Sequence, residues 1–174
     1  MKVILVLVST LNGKITMGND PEVRHWSSKS DQDYYSRVWK DSKLIVMGSN
    51  TYTQNIITAS PKKLIIVMTR HPHEHVGKQI PGQLEFSDES PREICERLRG
   101  SGNTVLTLVG GSSLATSFFR ESLIDELWLT IEPKLFGKGI NLISDTDLDV
   151  TLKLVDIQKV NEEGTLITKY LIVR

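Results

Sequence analysis

Four short polar segments hold the residues of this chain best suited to chemistry, and each follows an apolar run. Gly110, Gly111, Ser112, Ser113 and Leu114 follow Val105–Val109, and Gly48, Ser49, Asn50 and Thr51 follow Lys43–Met47. Thr69 and Arg70 follow Leu64–Met68, while Ser9, Thr10, Leu11, Asn12, Gly13, Lys14 and Ile15 follow Val3–Val8. Paired glycines let a ligand approach the backbone, and the N–H groups of a helix start attract an anion. A guanidinium beside a hydroxyl, as at Thr69–Arg70, suits a phosphate such as the 2′-phosphate of NADP. Each segment alone is equally a turn, and Arg70 alone is equally a solvated loop charge. Together they predict one site for a phosphorylated ligand.

Asp31 is the carboxylate best placed for a substrate. It falls in the first turn of a helical pattern that continues through Tyr34 and Tyr35, just after Trp26, Ser27 and Ser28. A partly buried acid there can hydrogen-bond a polar heterocycle or bias protonation of a ring nitrogen. The competing account is local: Ser28 and Asp31 have the spacing of a capping box, worth about 1 kcal/mol with no chemistry at all. Sequence leaves both open.

Other clusters carry less. His71, His73 and His75 alternate in a Pro-containing polar loop, which has the default of a solvated surface, so no metal site is assigned. Glu162–Glu163 and Asp145, Asp147 and Asp149 lack the spacing of a calcium loop and fit a turn and a solvated edge. Cys95 sits mid-helix beside Ile94 as a small core residue. There is no Gly-x-Gly-x-x-Gly after the first apolar run, no P-loop and no nucleophile elbow.

The elements that must position these residues follow from periodicity. Near-continuous Val, Ile and Leu at Val3–Ser9, Lys43–Met47, Leu64–Thr69 and Val105–Val109 predicts strands covered on both faces, as in a parallel sheet. Between them, Asp31–Lys40 sets Tyr34, Tyr35, Val38 and Trp39 along one helical face. Pro91–Arg99 starts on Ser90 with Glu93 closing a capping box and stops at Gly100. Ser112–Ser122 buries Leu114, Ala115, Phe118 and Phe119. Glu126–Glu132 then alternates, and Thr151–Val160 and Thr165–Val173 flank a hairpin turn at Asn161–Gly164. The expectation is a three-layer α/β fold whose mixed, mainly parallel sheet ends in antiparallel strands. Right-handed crossovers bring the carboxyl ends of the early strands to one edge, where open α/β sheets bind ligands.

Bulk properties bound the remainder. The 174 residues, with no linker or repeat, fit one domain over 1–174, and balanced acid and base give zero formal charge and no general footprint for nucleic acid. Val3–Val8 is too short to span a bilayer and has no secretory-signal context, and the lone Cys95 excludes an internal disulfide framework. A soluble cytoplasmic protein without membrane association is expected.

These residues resemble the dihydrofolate reductase superfamily, and most of all the C-terminal reductase domain of bifunctional riboflavin-biosynthesis deaminase–reductases. Thr10-Leu-Asn-Gly-Lys-Ile-Thr16 is similar to that group's Ser-x-Asp-Gly-Lys-Ile-Ala loop, and Ile45-Val-Met-Gly-Ser-Asn-Thr-Tyr52 to the Met-Gly-x-x-Thr turn of dihydrofolate reductases. Trp26-Ser-Ser28 with Asp31, Tyr34 and Tyr35 resembles the segment holding the substrate carboxylate. Leu108-Val-Gly-Gly-Ser112, Leu123-Ile-Asp-Glu-Leu127 and Pro133 with Phe136-Gly-Lys-Gly139 resemble the reductase-domain signature.

The resemblance implies an NADPH-dependent oxidoreductase that is a homodimer and acts on a small heterocyclic substrate, here a ribosylamino-pyrimidine phosphate or a relative. It implies that Gly48, Ser49, Asn50 and Thr51 meet the cofactor's phosphates and adenosine side. Thr69 and Arg70 would hold the 2′-phosphate, and Val109, Gly110, Gly111, Ser112, Ser113 and Leu114 the pyrophosphate. Thr10, Asn12 and Trp26 would bind substrate, with Asp31 catalytic. Departures accompany it: Asn12 replaces the usual aspartate, Ala115 stands where dihydrofolate reductases carry a tyrosine, and Tyr52–Lys63 lacks the usual Asp-Pro-x-Leu-x-x-Arg, leaving Lys62 or Lys63 as substitutes. No deaminase zinc motif is present. Dihydrofolate or pteridine reduction, and a non-catalytic nucleotide-binding module, are the alternatives.

Overall fold

The computed structural model describes residues 1–55 and 57–174; Ile56, within the divergent Tyr52–Lys63 stretch, lies outside them. Eight strands form one sheet: β1 (Lys2–Thr10), β2 (Leu44–Gly48), β3 (Leu64–Met68), β4 (Leu84–Ser87), β5 (Val105–Leu108), β6 (Glu126–Glu132), β7 (Leu152–Lys159) and β8 (Leu166–Ile172). Their order is β4-β3-β2-β5-β1-β6-β8-β7. Every pair from β4 across to β6 is parallel, and β8 runs antiparallel to both β6 and β7. The expected α/β class and mixed sheet are what the chain forms.

Among the described residues, four helices cover the sheet: α1 (Lys29–Asp41), α2 (Ser49–Thr53), α3 (Pro91–Arg99) and α4 (Ser112–Arg120). The pleat sorts the strand residues between two cores. Val3 and Leu5 of β1 join Ile94, Cys95 and Leu98 of α3 and Phe118 and Phe119 of α4. Ile4 and Val6 point the other way, to Tyr35, Val38 and Trp39 of α1. That alternation is why a continuous apolar strand needs helices on both faces, and it makes the three layers. Tyr34 lies outside both clusters.

Helix boundaries follow their caps. Ser90 Oγ accepts from Glu93 N–H while Glu93 Oε2 accepts from Ser90 N–H at 2.8 Å, closing the expected capping box of α3. The hairpin turn at Asn161–Gly164 has Gly164 at φ +99°, and Asn161 Oδ1 accepts its N–H. Three features were not anticipated. β4 is a four-residue strand after Pro81–Gly82, too short for a period to register. The second is α2, a single turn, and the third is a pair of 3-10 turns at Val23–His25 and Pro72–Lys78. Among the described residues, no helix is long and apolar enough to cross a membrane.

Candidate functional site

Chain direction sets the site. From β2 the chain moves outward to β3 and β4, whereas from β5 it crosses to β6 on the far side of β1. The crevice at the carboxyl ends of β2, β5 and β1 is thus where the winding reverses. In strand order, that edge presents Thr69–Arg70, Gly48–Thr51, Gly110–Leu114, Thr10–Asn12 and Glu132. All four polar segments singled out in the sequence reach it.

Its first half is built from two glycine-led helix starts. Gly48 N–H donates to the Gly110 carbonyl at 3.2 Å, tying the end of β2 to the end of β5. Both helices begin on glycine, Gly48 for α2 and Gly111 for α4, so neither start has a side-chain cap. In α4 the first intrahelical bond is Ala115 N–H to Gly111 O at 2.9 Å, which leaves the N–H groups of Ser112, Ser113 and Leu114 for an anion. The Gly110–Gly111 peptide is cis, and Gly110 has φ +30°. A Cβ on Gly110 would stand 2.5 Å from Leu7 Cδ2, so only glycine leaves Leu7 in place. Val109 is buried and holds the strand end through its N–H to Val46 O.

Thr69 is fixed just beyond β3 by its N–H to Ser87 O, and its hydroxyl accepts from His71 N–H at 3.2 Å. Arg70 is exposed and makes no ion pair among the described residues. The histidines beyond separate: His75 stacks on Phe86 with ring centres 4.5 Å apart, while His71, His73 and Glu74 remain exposed together. Of the two lysines left as substrate-phosphate candidates, Lys63 is turned away, its Nζ donating to Trp39 O and lying over the Trp39 ring. Lys62 stays exposed.

The second half lies where β1, β6 and α1 converge. Thr10 is buried, and its hydroxyl donates to Asn12 Oδ1 at 2.7 Å while accepting from Lys14 N–H. Asn12 bonds the backbone of Phe136 in both directions, Nδ2 to Phe136 O at 2.9 Å and Phe136 N–H to Oδ1 at 3.2 Å. Both residues therefore brace the loops around the site. Phe136 in turn packs edge-on against Trp26, ring centres 5.4 Å apart. Trp26 is only 2% exposed, yet its Nε1 has no hydrogen-bond partner among the described residues, and neither does Tyr34 OH. Orphaned buried donors are uncommon in a finished core.

Asp31 has a capped backbone and a carboxylate that does not close a capping box. Its backbone N–H does donate to Ser28 Oγ at 3.2 Å, so the helix is capped. Its carboxylate does not return the bond, because Ser28 N–H goes to Glu132 Oε1 at 2.8 Å. The side chain is left 5% exposed. Burial pushes its carboxyl up to about 6, against the pull of the Thr130 and Ser27 hydroxyls and with a smaller push from the Glu132 charge. A carboxyl at that value can hold or release a proton near neutrality. Alternation along Glu126–Glu132 predicts only a strand and singles out neither Thr130 nor Glu132, both of which are buried. An acid at an apolar strand's buried end was the available signal.

The RibD C-terminal domain family matches residues 1–166. The uncharacterized protein YwjB of Bacillus subtilis is 24% identical over 160 residues, covering 88% of each chain. A putative riboflavin biosynthesis protein from Shewanella sp. PV-4 superposes over 100% of both chains with a TM-score of 0.78 at 18% identity. A diaminohydroxyphosphoribosylaminopyrimidine deaminase/5-amino-6-(5-phosphoribosylamino)uracil reductase from Thermotoga maritima has a TM-score of 0.75 at 17% identity, covering 99% of this chain and 56% of that one. At such identities the structural likenesses speak for the fold.

Proposed function

The chain belongs to the RibD C-terminal domain family, a family of reductase domains, and on that premise we propose that it is an NADPH-dependent reductase of a ribosylamino-pyrimidine phosphate or a related heterocycle. The observation that carries the cofactor is the pair of uncapped, glycine-led helix starts joined by the Gly48–Gly110 hydrogen bond. The cradle fits a pyrophosphate: the N–H groups of Ser112, Ser113 and Leu114 have no partner within their helix, and its glycines keep side chains out of the approach. Gly48–Thr51 and Val109–Leu114 would hold the phosphates, with Thr69 and Arg70 on the 2′-phosphate.

When bound, NADPH supplies the hydride. This chain's residues do the positioning and the proton work. Trp26 and Phe136 wall the substrate end and exclude water, and Trp26 Nε1 offers a donor to a polar ring. Asp31, with its carboxyl near 6, holds a proton close to the nitrogen of a C=N bond whose carbon takes the hydride. Thr10 and Asn12 act on substrate through the loop they brace.

The test is substrate-dependent loss of NADPH absorbance, with the ribosylamino-pyrimidine phosphate run beside dihydrofolate. Turnover of the pyrimidine supports the proposal. Turnover of dihydrofolate alone replaces it with a pteridine reductase, and failure to bind NADPH at millimolar concentration replaces it with a non-catalytic module.

A further inference from the structure

We propose that Glu132 is a positioning residue: by taking the N-cap amide of α1, it keeps the Asp31 carboxylate out of its own helix cap and presents it to the ligand. The inference rests on Asp31 being the acid of the proposed reductase.

The molecule contains its own control. α1 and α3 both start with serine as N-cap and an acid three residues on. In α3 the box closes, and Glu93 Oε2 accepts the Ser90 N–H at 2.8 Å. In α1 the matching N–H, that of Ser28, is 2.8 Å from Glu132 Oε1 instead. One N–H serves one strong acceptor, so the Asp31 carboxylate is displaced from the position Glu93 occupies.

Glu132 is held for this task. It is 1% exposed and stands level with Thr10 in the β1–β6 ladder, on the α1 side of the sheet with Thr130. Its second oxygen accepts from Thr165 Oγ1 at 2.8 Å. Thr165 is fixed in turn by Asn161, whose Nδ2 and Oδ1 bond its hydroxyl and its N–H. Both carboxylate oxygens are therefore satisfied, as a buried acid requires. Asp31, by contrast, meets Thr130 and Glu132 from β6, Ser27 from the preceding loop and Tyr35 from its own helix. Arg24 and Lys134 lie beyond, the latter with Nζ on the Trp26 carbonyl. Glu132 is the charged neighbour that acts on it.

The experiment is a carbon-detected NMR titration of the Asp31 carboxyl in the full chain, as wild type, Glu132→Gln and Glu132→Ala, with circular dichroism to verify folding. Loss of the neighbouring charge in Glu132→Gln should lower the midpoint by about one pH unit. Glu132→Ala should lower it further, because Ser28 N–H becomes free to bond Asp31. In turnover, kcat should fall while the KM for NADPH holds, and the pH profile should move with the NMR midpoint. An unchanged midpoint in both folded variants overturns the proposal, even if turnover is lost, since Glu132 would then be only a structural anchor. Shifted midpoints in the variants, together with a wild type that turns over no substrate, refute the reductase reading and leave the positioning geometry supported.

Discussion

Asn12 and Phe136 exchange hydrogen bonds in both directions, side-chain amide to backbone carbonyl and backbone N–H to side-chain carbonyl. An ionised aspartate cannot do this, because the contact needs a donor as well as an acceptor on one side chain. It explains why asparagine stands where the reductase-domain loop usually has aspartate. Asn12→Asp should set a carboxylate oxygen against the Phe136 carbonyl, cost about 1 kcal/mol in chemical denaturation and raise the substrate KM. Unchanged stability would show that the clamp contributes nothing.

Asp31→Asn should separate stability from function. The folded carboxyl titrates near 6 and the unfolded one near 3.8, so the folded state holds the proton more tightly. The resulting cost to stability is absent below about pH 4, develops as pH rises through 6 and is complete above it. Asparagine removes that cost, so the variant should be more stable than wild type by about 2–3 kcal/mol at pH 8 and equal to it at pH 4. Turnover should fall by at least about a hundredfold. Retained turnover would remove the Asp31 carboxyl from the chemistry.

Gly139→Ala tests the loop that carries Phe136. An added Cβ there would overlap the Thr16 carbonyl oxygen, and Gly139 has φ +142°. The loops are otherwise joined by Ile15 N–H to Ile140 O, Gly18 N–H to Lys138 O and Ile140 N–H to Thr16 Oγ1. The substitution should cost at least about 2 kcal/mol in thermal unfolding and weaken substrate more than NADPH. Equal weakening of both ligands would contradict the division of the site into two halves.

A second copy of the chain is the partner we propose for the sheet's open edge. β7 is the edge strand, with Leu154 and Ile157 on one face at 46% and 52% exposure. An apolar edge of this kind invites association. Light scattering should give the mass of two chains for wild type and one for Leu154→Lys with Ile157→Lys. A monomeric wild type would contradict the dimer.

The parallel strands, α3 and the polar segments at the strand ends were legible in sequence because each rests on local signals: apolar runs, a capping box, glycines after strands. The fate of Asp31 was not. Ser28 and Asp31 are three residues apart, but the residue that decides between them is Glu132, 104 positions from Ser28. Both helices start on a serine with an acid three residues on, aspartate in α1 and the longer glutamate in α3, and the acceptor that takes the Ser28 N–H comes from across the sheet. Lys63 is similar, since its engagement with Trp39 follows from β3 lying against the α1 layer. Contacts made across the sheet decide which polar residues stay free.

The central claim, that the edge formed by Gly48–Thr51, Thr69–Arg70 and Gly110–Leu114 is an NADPH site, is tested most directly by calorimetric titration of wild type and Arg70→Ala with NADPH and NADH. The account predicts that wild type prefers NADPH and that Arg70→Ala weakens NADPH by about ten- to a hundredfold while leaving NADH nearly unchanged. No binding of either nucleotide to wild type, or an equal loss for both in the variant, would contradict it.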